Sequence, residues 1–262
     1  MTAPTPEFLD AALAVALKAA DAAEAVVARH YRARVEVEIK ADASPVTIAD
    51  REAEQAILAI LRAAYPDHAV YGEEYGRSGD SDFLWLVDPI DGTRDYIRGR
   101  SGWCVSVALI EGSEAVFAAI YAPVTAQLWV AHKGEGTTCN GKRLTASQRV
   151  AFSGARVPTD ALPKIDRDLQ MVHKPNSIAM RMTMVACDRA DLVATLRWGN
   201  EWDIAAAHLI AEEAGAVVTS ATGQPILYNK REPMDFGLIC CAAGIHDAAV
   251  ERLRERVAAI LA

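Results

Sequence analysis

A chain of 262 residues can hold one large domain or two lobes that share a core. Its residues are 52% hydrophobic and 24% charged, a globular composition, and a formal charge of −8 argues against the basic surface that a nucleic-acid polymer needs. The five cysteines form no Cys-x-x-Cys pair, so buried free thiols in a reducing cytoplasm are expected. No stretch is apolar for long enough to cross a membrane, and Asp10, Lys18, Asp21 and Glu24 interrupt the Ala-rich start, so no secretory signal is expected.

Residues 6–32 read as one helix, with Thr5 as cap and Pro6 at its first position. Leu9, Leu13, Ala16, Leu17, Ala20 and Val27 fall mostly on one face, so this helix packs on something. Val35, Val37 and Ile39 alternate with charged residues as in a half-exposed strand, which Ser44-Pro45 ends. Thr47 followed by Asp50 marks a helix start. That helix runs through Ile57, Leu58 and Leu61 to about Ala64, and Pro66 closes it. A short strand, Ala69-Val70-Tyr71, leads into Gly72-Glu73-Glu74. Two adjacent acids after a strand are usually a solvated turn; these gain interest because the next strand delivers more acids.

The next strand, Phe83-Leu84-Trp85-Leu86-Val87, runs into Asp88-Pro89-Ile90-Asp91-Gly92-Thr93. Pro89 has no N–H to donate, so strand pairing is expected to stop there. The turn is expected to bring Asp88 and Asp91 together and to leave the Ile90 carbonyl facing them. Two carboxylates and a carbonyl are hard oxygen ligands, which suit Mg²⁺. The amides of Gly92 and Thr93, at a helix start, suit a phosphate. The plainer reading makes this a strand-to-helix turn with Asp91 as cap. The whole hexapeptide behind a buried strand favours the functional reading.

Trp103 to Glu111, Ala115 to Tyr121 and Gln127 to Ala131 read as a three-stranded meander, and Asn140-Gly141 is a hairpin signal. Periodicity fades from Ser147 to Pro163, which sets a lobe boundary. Beyond it come a strand at Leu169 to Val172, a helix at Ser177 to Ala186 and a strand at Leu192 to Leu196. Trp198-Gly199-Asn200-Glu201-Trp202-Asp203 then opens an apolar helix that ends at Gly215. Asp203 at the helix start serves the helix dipole, a role compatible with facing a cleft as a ligand. His208, inside the apolar helix, reads as a core histidine. Strands at Val217-Val218 and Gly237 to Cys241 precede a final helix over residues 246–261.

Together these pieces resemble the inositol monophosphatase family of Mg²⁺-dependent, lithium-sensitive phosphatases. The likeness rests on the Lys40 to Asp50 stretch, Gly72-Glu73-Glu74, the Asp88 to Thr93 hexapeptide, Asn140-Gly141, and Trp202-Asp203 followed by Ala205-Ala206 and Glu213-Ala214-Gly215. The resemblance implies an α/β fold, the layered α-β-α-β-α sandwich of the inositol monophosphatase and fructose-1,6-bisphosphatase type. It implies an N-terminal α+β lobe (1–148) carrying most metal ligands and a C-terminal α/β lobe (149–262) supplying Asp203 and substrate contacts. It also implies a homodimer, while charge, cysteine usage and hydropathy give the expectation of a cytoplasmic protein without membrane or nucleic-acid partners.

Residue by residue, the resemblance gives Glu73, Asp88 and the Ile90 carbonyl to a first Mg²⁺. It gives Asp88, Asp91 and Asp203 to a second, and has Glu73 help with a third. Asp50 and Thr93 would orient the attacking water, with Lys40 behind the acids. Substrate contacts are expected from Asp91, Gly92, Thr93, Arg94, Ser177, Glu201 and Asp203. Glu201-Trp202-Asp203, Arg94-Asp95-Tyr96-Ile97 and Tyr228-Asn229-Lys230 lean toward the 3'(2'),5'-bisphosphate nucleotidase branch, acting on adenosine 3',5'-bisphosphate. Inositol phosphate is an alternative, and Pro66-Asp67-His68 with Gly72-Glu73-Glu74 also suits histidinol phosphate. Asn176-Ser177 stands where many relatives have Gly-Ser, and Glu213-Ala214-Gly215-Ala216 replaces a more usual Gly-Gly ending; both departures bear on substrate rather than metal. A phosphate-ester sensor without turnover and a metal-free hydrolase using two acids are the competing classes.

Overall fold

Alternation along two strands decides the layering. The computed structural model describes residues 6–31, 37–40 and 45–262; Thr5, Arg32, Val35 and Ser44, which carried part of the expectations above, lie outside them. The chain runs α1 (Pro6–His30), β1 (Val37–Ile39), β2 (Pro45–Thr47), α2 (Ile48–Ala64), β3 (Ala69–Gly72), β4 (Gly76–Ser78), β5 (Phe83–Asp91) and α3 (Thr93–Ile97). It continues through β6 (Cys104–Glu111), β7 (Glu114–Ala122), β8 (Gln127–His132), β9 (Gly136–Cys139), β10 (Lys142–Arg143), β11 (Arg156–Pro158) and β12 (Gln170–Val172). The last part holds α4 (Ile178–Ala186), β13 (Leu192–Asn200), α5 (Glu201–Glu213), β14 (Ala216–Thr219), β15 (Met234–Ala242) and α6 (His246–Leu261).

Eight strands form one sheet in the order β10-β9-β8-β7-β6-β5-β3-β4, and three form another in the order β13-β15-β14. Successive side chains of a strand face opposite sides. In β5, Trp85 and Val87 pack with α1 and α2, while Leu84 and Leu86 pack with α4 and α5. In β15, Leu238 and Cys240 join the α4/α5 side, while Ile239 and Cys241 meet Ala249, Leu253 and Val257 of α6. The layers are therefore α1/α2, the large sheet, α4/α5, the small sheet and α6, the expected α-β-α-β-α sandwich.

Composition follows position in these layers. On α1 the deeply buried residues are Ala12, Ala16, Ala19 and Ala23, whose small side chains let α2 approach, while Leu13 and Leu17 are only half-buried. On α5, between two sheets, Ala205, Ala206, Ala207, Leu209 and Ile210 are all buried, so the helix is apolar on every side. His208 is a core residue, its Nδ1 2.6 Å from the Tyr228 hydroxyl. All five thiols are free and none is exposed. Asn140 and Gly141 both take positive φ, 48° and 74°, in the two-residue turn joining β9 to β10.

Three differences from the sequence reading matter. Pairing does not stop at Pro89: β5 runs on to Asp91, which lies opposite Cys104, and the missing proline N–H is absorbed by an irregularity between Asp88 and Asp91. β13 extends past Leu196 to Asn200, with its own irregularity between Thr195 and Trp198. β11, paired with β12, lies inside the segment where periodicity fades. The largest core cluster takes residues from both sides of residue 148, so we propose that 1–148 and 149–262 are lobes of one core rather than separable domains.

Candidate active site

β3 and β5 run parallel, with Gly72 opposite Val87. The Glu73 amide donates to the Val87 carbonyl at 3.2 Å, which sets Glu73 beside Asp88. Asp88 turns one oxygen back to the Ile90 amide at 2.9 Å. Gly92 follows with φ 100°, and a Cβ there would lie 2.6 Å from the Gly102 carbonyl oxygen and 3.0 Å from the Ser177 amide nitrogen, so only glycine fits. Asp203 arrives from the other sheet, at the third position of α5. Trp202 stacks obliquely on Tyr71 of β3, ring centroids 5.2 Å apart, and ties that helix start to the strand that carries Glu73.

Glu73, Asp88, Asp91 and Asp203 line a single cleft of about 430 Å³, together with Ile90, Gly92, Thr93 and Arg94. Burial raises the pKa of Asp88 well above the carboxylate range, and Glu73, Asp91 and Asp203 push it further. Burial likewise raises Asp203, followed by the charges of Asp91 and Glu73. Burial raises Asp91 too, opposed by Ser177 and the α4 amides. Lys40 Nζ donates to Glu73 at 2.8 Å and to Glu74 at 2.5 Å. Burial alone would lower the Lys40 pKa, but those two carboxylates outweigh it and raise it.

Among the described residues, no three His, Cys, Asp or Glu side chains already form an ion cage. Each acid is anchored instead to a protein donor, and Asp91 most firmly. Its Oδ2 accepts from the Ser177 hydroxyl at 2.5 Å and the Ala179 amide at 2.8 Å. The donor set nevertheless fits a hard divalent cation: all oxygen, carboxylate-rich, and mutually repelling in a buried place without compensating cations of equal number.

Asp50 lies behind this wall, fully buried. Its Oδ2 accepts from the Thr47 amide at 2.8 Å and the Thr47 hydroxyl at 2.6 Å. Its Oδ1 is 3.4 Å from the Thr93 hydroxyl, which stands 3.1 Å from the Ile90 carbonyl. Thr93 has one proton, so it serves one of these acceptors at a time. Burial pushes the Asp50 pKa up to about 7 against the Thr47 hydrogen bonds.

Two expected substrate contacts do not reach the cleft. The Glu201 carboxylate is buried and accepts from the Asn229 amide at 2.9 Å and the Lys230 amide at 3.2 Å, so it clamps that loop. The Ser177 hydroxyl is spent on Asp91 and on the Met180 amide at 2.8 Å, so it caps α4 and orients an acid. In the other segments that leaned toward a nucleotide, the two tyrosines are structural: the Tyr96 hydroxyl donates to the Val27 carbonyl at 2.9 Å, and Tyr228 pairs with His208.

Sequence reasoning missed Glu54, Arg197 and Trp198. Glu54 is fully buried on α2 and accepts from the Glu74 amide at 2.7 Å and the Tyr75 amide at 3.0 Å, which fixes the loop that holds Glu73. An acid on the same helix face as Ile57, Leu58 and Leu61 was the available signal. Arg197 and Trp198 line the cleft mouth, where Trp198 is 58% exposed. The irregularity in β13 turns them there, and no pattern in the sequence announces it.

The fold and site define a layered α/β protein with an acid-lined cleft between two sheets. The model of the Inositol monophosphatase family matches residues 9–259, and the chain belongs to that family of phosphatases. It is 34% identical over 234 residues to the Nus factor SuhB of Pseudomonas aeruginosa, covering 80% of this chain and 86% of that protein. It is 31% identical over 204 residues to the fructose-1,6-bisphosphatase/inositol-1-monophosphatase of Aquifex aeolicus, covering 72% and 76%. The solved structure of the Thermotoga maritima IMPase TM1415 superposes with a TM-score of 0.84 at 28% identity, covering 95% of this chain and 98% of that one. Among the described residues, no helix is long and apolar enough to cross a membrane.

Proposed function

We propose that the cleft hydrolyses a small phosphate monoester with two to three Mg²⁺ ions. One observation carries this reading: four acids from three separated segments line the same cleft as the Gly92-Thr93 turn. Glu73, Asp88, the Ile90 carbonyl, Asp91 and Asp203 would hold the ions. Bound Mg²⁺ would offset the charge of the acids and the phosphate dianion and ease deprotonation of a water. Asp50, through Thr93, would take that proton, and its pKa of about 7 suits a base working near neutrality. Lys40 holds Glu73 in place. Arg94 and the Gly92-Thr93 turn would steady the phosphate.

For the substrate we keep the bisphosphate nucleotide first, on grounds other than Glu201 or Tyr228. Arg94 and Arg197 both line the cleft, and no hydrogen bond or ion pair holds either side chain among the described residues. Two free guanidinium groups suit a second phosphate, and exposed Trp198 offers a face to a purine. Inositol monophosphate is the second reading, favoured by the polar lining of the inner cleft and by the name of the Aquifex relative. Histidinol phosphate is a third. Lithium inhibition, a homodimer and a cytoplasmic site of action belong to the same proposal. Phosphate release from adenosine 3',5'-bisphosphate, inositol phosphates, histidinol phosphate and fructose bisphosphate, with Mg²⁺ and with chelator, tests it. Turnover that survives chelator, or tight ester binding without turnover at saturating Mg²⁺, would overturn the reading.

A further inference from the structure

A second cavity, of about 250 Å³, opens on the other side of α4 from the acid cleft. Phe152, Leu162, Leu169, Leu192 and Leu253 give it apolar walls. Its charged lining is the reverse of the cleft's: Lys174, Arg181, Arg252 and Arg256 against the single carboxylate of Asp166. Three of these cations are already paired. Lys174 meets Asp160 at 2.6 Å, Arg252 meets Asp168 at 2.8 Å, and Arg256 meets Asp166 at 2.9 Å. Even so, Arg256 Nε is buried without a hydrogen-bond partner.

Arg181 differs from the others. It is only 8% exposed, and its hydrogen bonds go to two carbonyls, Nε to Ser177 and Nη2 to Asn176, each at 3.2 Å. No carboxylate pairs with it among the described residues. Asp91 and Asp160 act on it only from beyond ion-pair distance, and a buried guanidinium facing a cavity with no carboxylate in contact is costly. An anion in the cavity would relieve that cost, and the apolar walls require the rest of the ligand to be apolar.

We propose that this cavity binds a small carboxylate with an aryl or branched alkyl body, its carboxylate on Arg181. The carbonyls that Arg181 holds belong to the cap of α4. Asn176 lines the acid cleft, and the Ser177 hydroxyl and the Ile178 and Ala179 amides hold Asp91. The charge of Arg181 also reaches Asp91 and counters its burial. An anion that draws Arg181 outward loosens the seat of Asp91, so occupancy lowers turnover without competing for the cleft. This coupling rests on the reading of the cleft as a phosphatase site; the binding does not.

The test titrates the full chain with 3-phenylpropanoate, with 3-phenylpropanamide as the neutral control, by calorimetry and ligand-observed NMR. Saturable binding is expected for the carboxylate and none for the amide. Arg181→Gln should weaken binding at least about tenfold, the loss of a charged hydrogen bond. Ala161→Trp, on the exposed lip of the cavity, should block it without touching the core, and decides the matter if the Arg181 variant fails to fold. No saturable binding to folded wild type, equal binding of the amide, or binding unchanged in Ala161→Trp overturns the site. Where a substrate is turned over, kcat should fall two- to fivefold on saturation while KM holds; an unchanged kcat refutes the coupling alone. A protein that turns over none of the esters but binds the carboxylate sinks the phosphatase reading and leaves the site standing.

Discussion

Helices α2 and α5 begin with the same device and put it to different ends. Each has an aspartate at its third position that accepts from the backbone of the capping residue, Asp50 from Thr47 and Asp203 from Asn200. The Asp50 bond is 2.8 Å and is doubled by the Thr47 hydroxyl at 2.6 Å; the Asp203 bond is 3.3 Å and stands alone. Asp50 is thus satisfied by its own helix and sits behind the cleft wall. Asp203 keeps lone pairs uncommitted and faces three other acids. A capping box is a local motif, but its use is set by how many donors the neighbourhood supplies. Where donors suffice, the acid positions; where they fall short, it is free for a cation.

The largest effects should come from the poorly satisfied acids. Asp203→Asn keeps an oxygen for the Asn200 amide, and Asp88→Asn keeps one for the Ile90 amide. Each should lower kcat by about 10³-fold or more, since charge toward Mg²⁺ is lost without loss of volume. The melting temperature of the chelator-treated protein should hold or rise, because an expensive buried charge is gone. Phosphate release and thermal melts read both; near-normal turnover in either variant would break the comparison.

Asp50→Asn should cost less, about 10²-fold in kcat, the range of a general base. It also carries a pH signature. The folded-state pKa of about 7 lies above the ordinary carboxylate value, so between about pH 4 and 7 the folded state holds a proton that the unfolded state has released. The Asp50 contribution to the stability of the metal-free protein should therefore be greatest at the low end of that window, fall as pH rises to about 7, and level off above it. Burial raises Glu54 to about 7 as well, so Asp50→Asn should flatten part of that slope and the double substitution with Glu54→Gln a further part, the remainder belonging to the buried Asp88, Asp91 and Asp203. Denaturant titrations in chelator across that window measure the slopes; a slope unchanged by Asp50→Asn would show that Asp50 is ionised at no cost.

The two helix starts also mark how far the residues could be read in advance. Thr47 with Asp50, and Asp203 beside Trp202, were legible because caps and strand ends are written within a few residues. The layering came from the family resemblance, and the two-faced burial of β5 and β15 is its physical counterpart. Glu201 was misplaced because its role depends on Asn229 and Lys230, nearly thirty residues later, folding back over it. Ser177 was misplaced because its acceptor, Asp91, lies 86 residues away. The mouth residues Arg197 and Trp198 owe their direction to one register shift in β13, and a one-residue slip reverses which face a side chain takes.

A smaller effect is expected where the satisfied side holds the exposed one in place. A Cβ on Gly72 would lie 1.9 Å from Glu54 Oε1, so Gly72→Ala must displace the carboxylate that fixes the Glu74 and Tyr75 amides. It should destabilise the fold by about 1–3 kcal/mol and weaken Mg²⁺ activation through Glu73. Glu54→Gln leaves one amide without its acceptor and should lie at the lower end of the same range. Urea midpoints and the Mg²⁺ concentration for half activity separate the two consequences. Wild-type Mg²⁺ dependence in both variants would show that Glu73 needs no such support.

The smallest effect tests the cleft mouth. Trp198 is mostly exposed and touches Phe236 edge-on, centroids 5.6 Å apart, so Trp198→Ala should fold normally. Stacking a base on an aromatic ring contributes about 1–3 kcal/mol, so the KM for adenosine 3',5'-bisphosphate should rise about tenfold while kcat changes little. An inositol monophosphate has no ring face to stack and should be handled alike by both proteins. Arg197→Gln should raise the same KM and also lower kcat modestly, because its charge reaches Asp203. If Trp198→Ala raises both KM values equally, the mouth shapes the cleft without choosing the substrate, and the inositol reading takes first place. Under the proposed reading the acids on the cleft floor set the reaction class whichever result is obtained, so the mouth variants test substrate choice and leave the phosphatase proposal untouched.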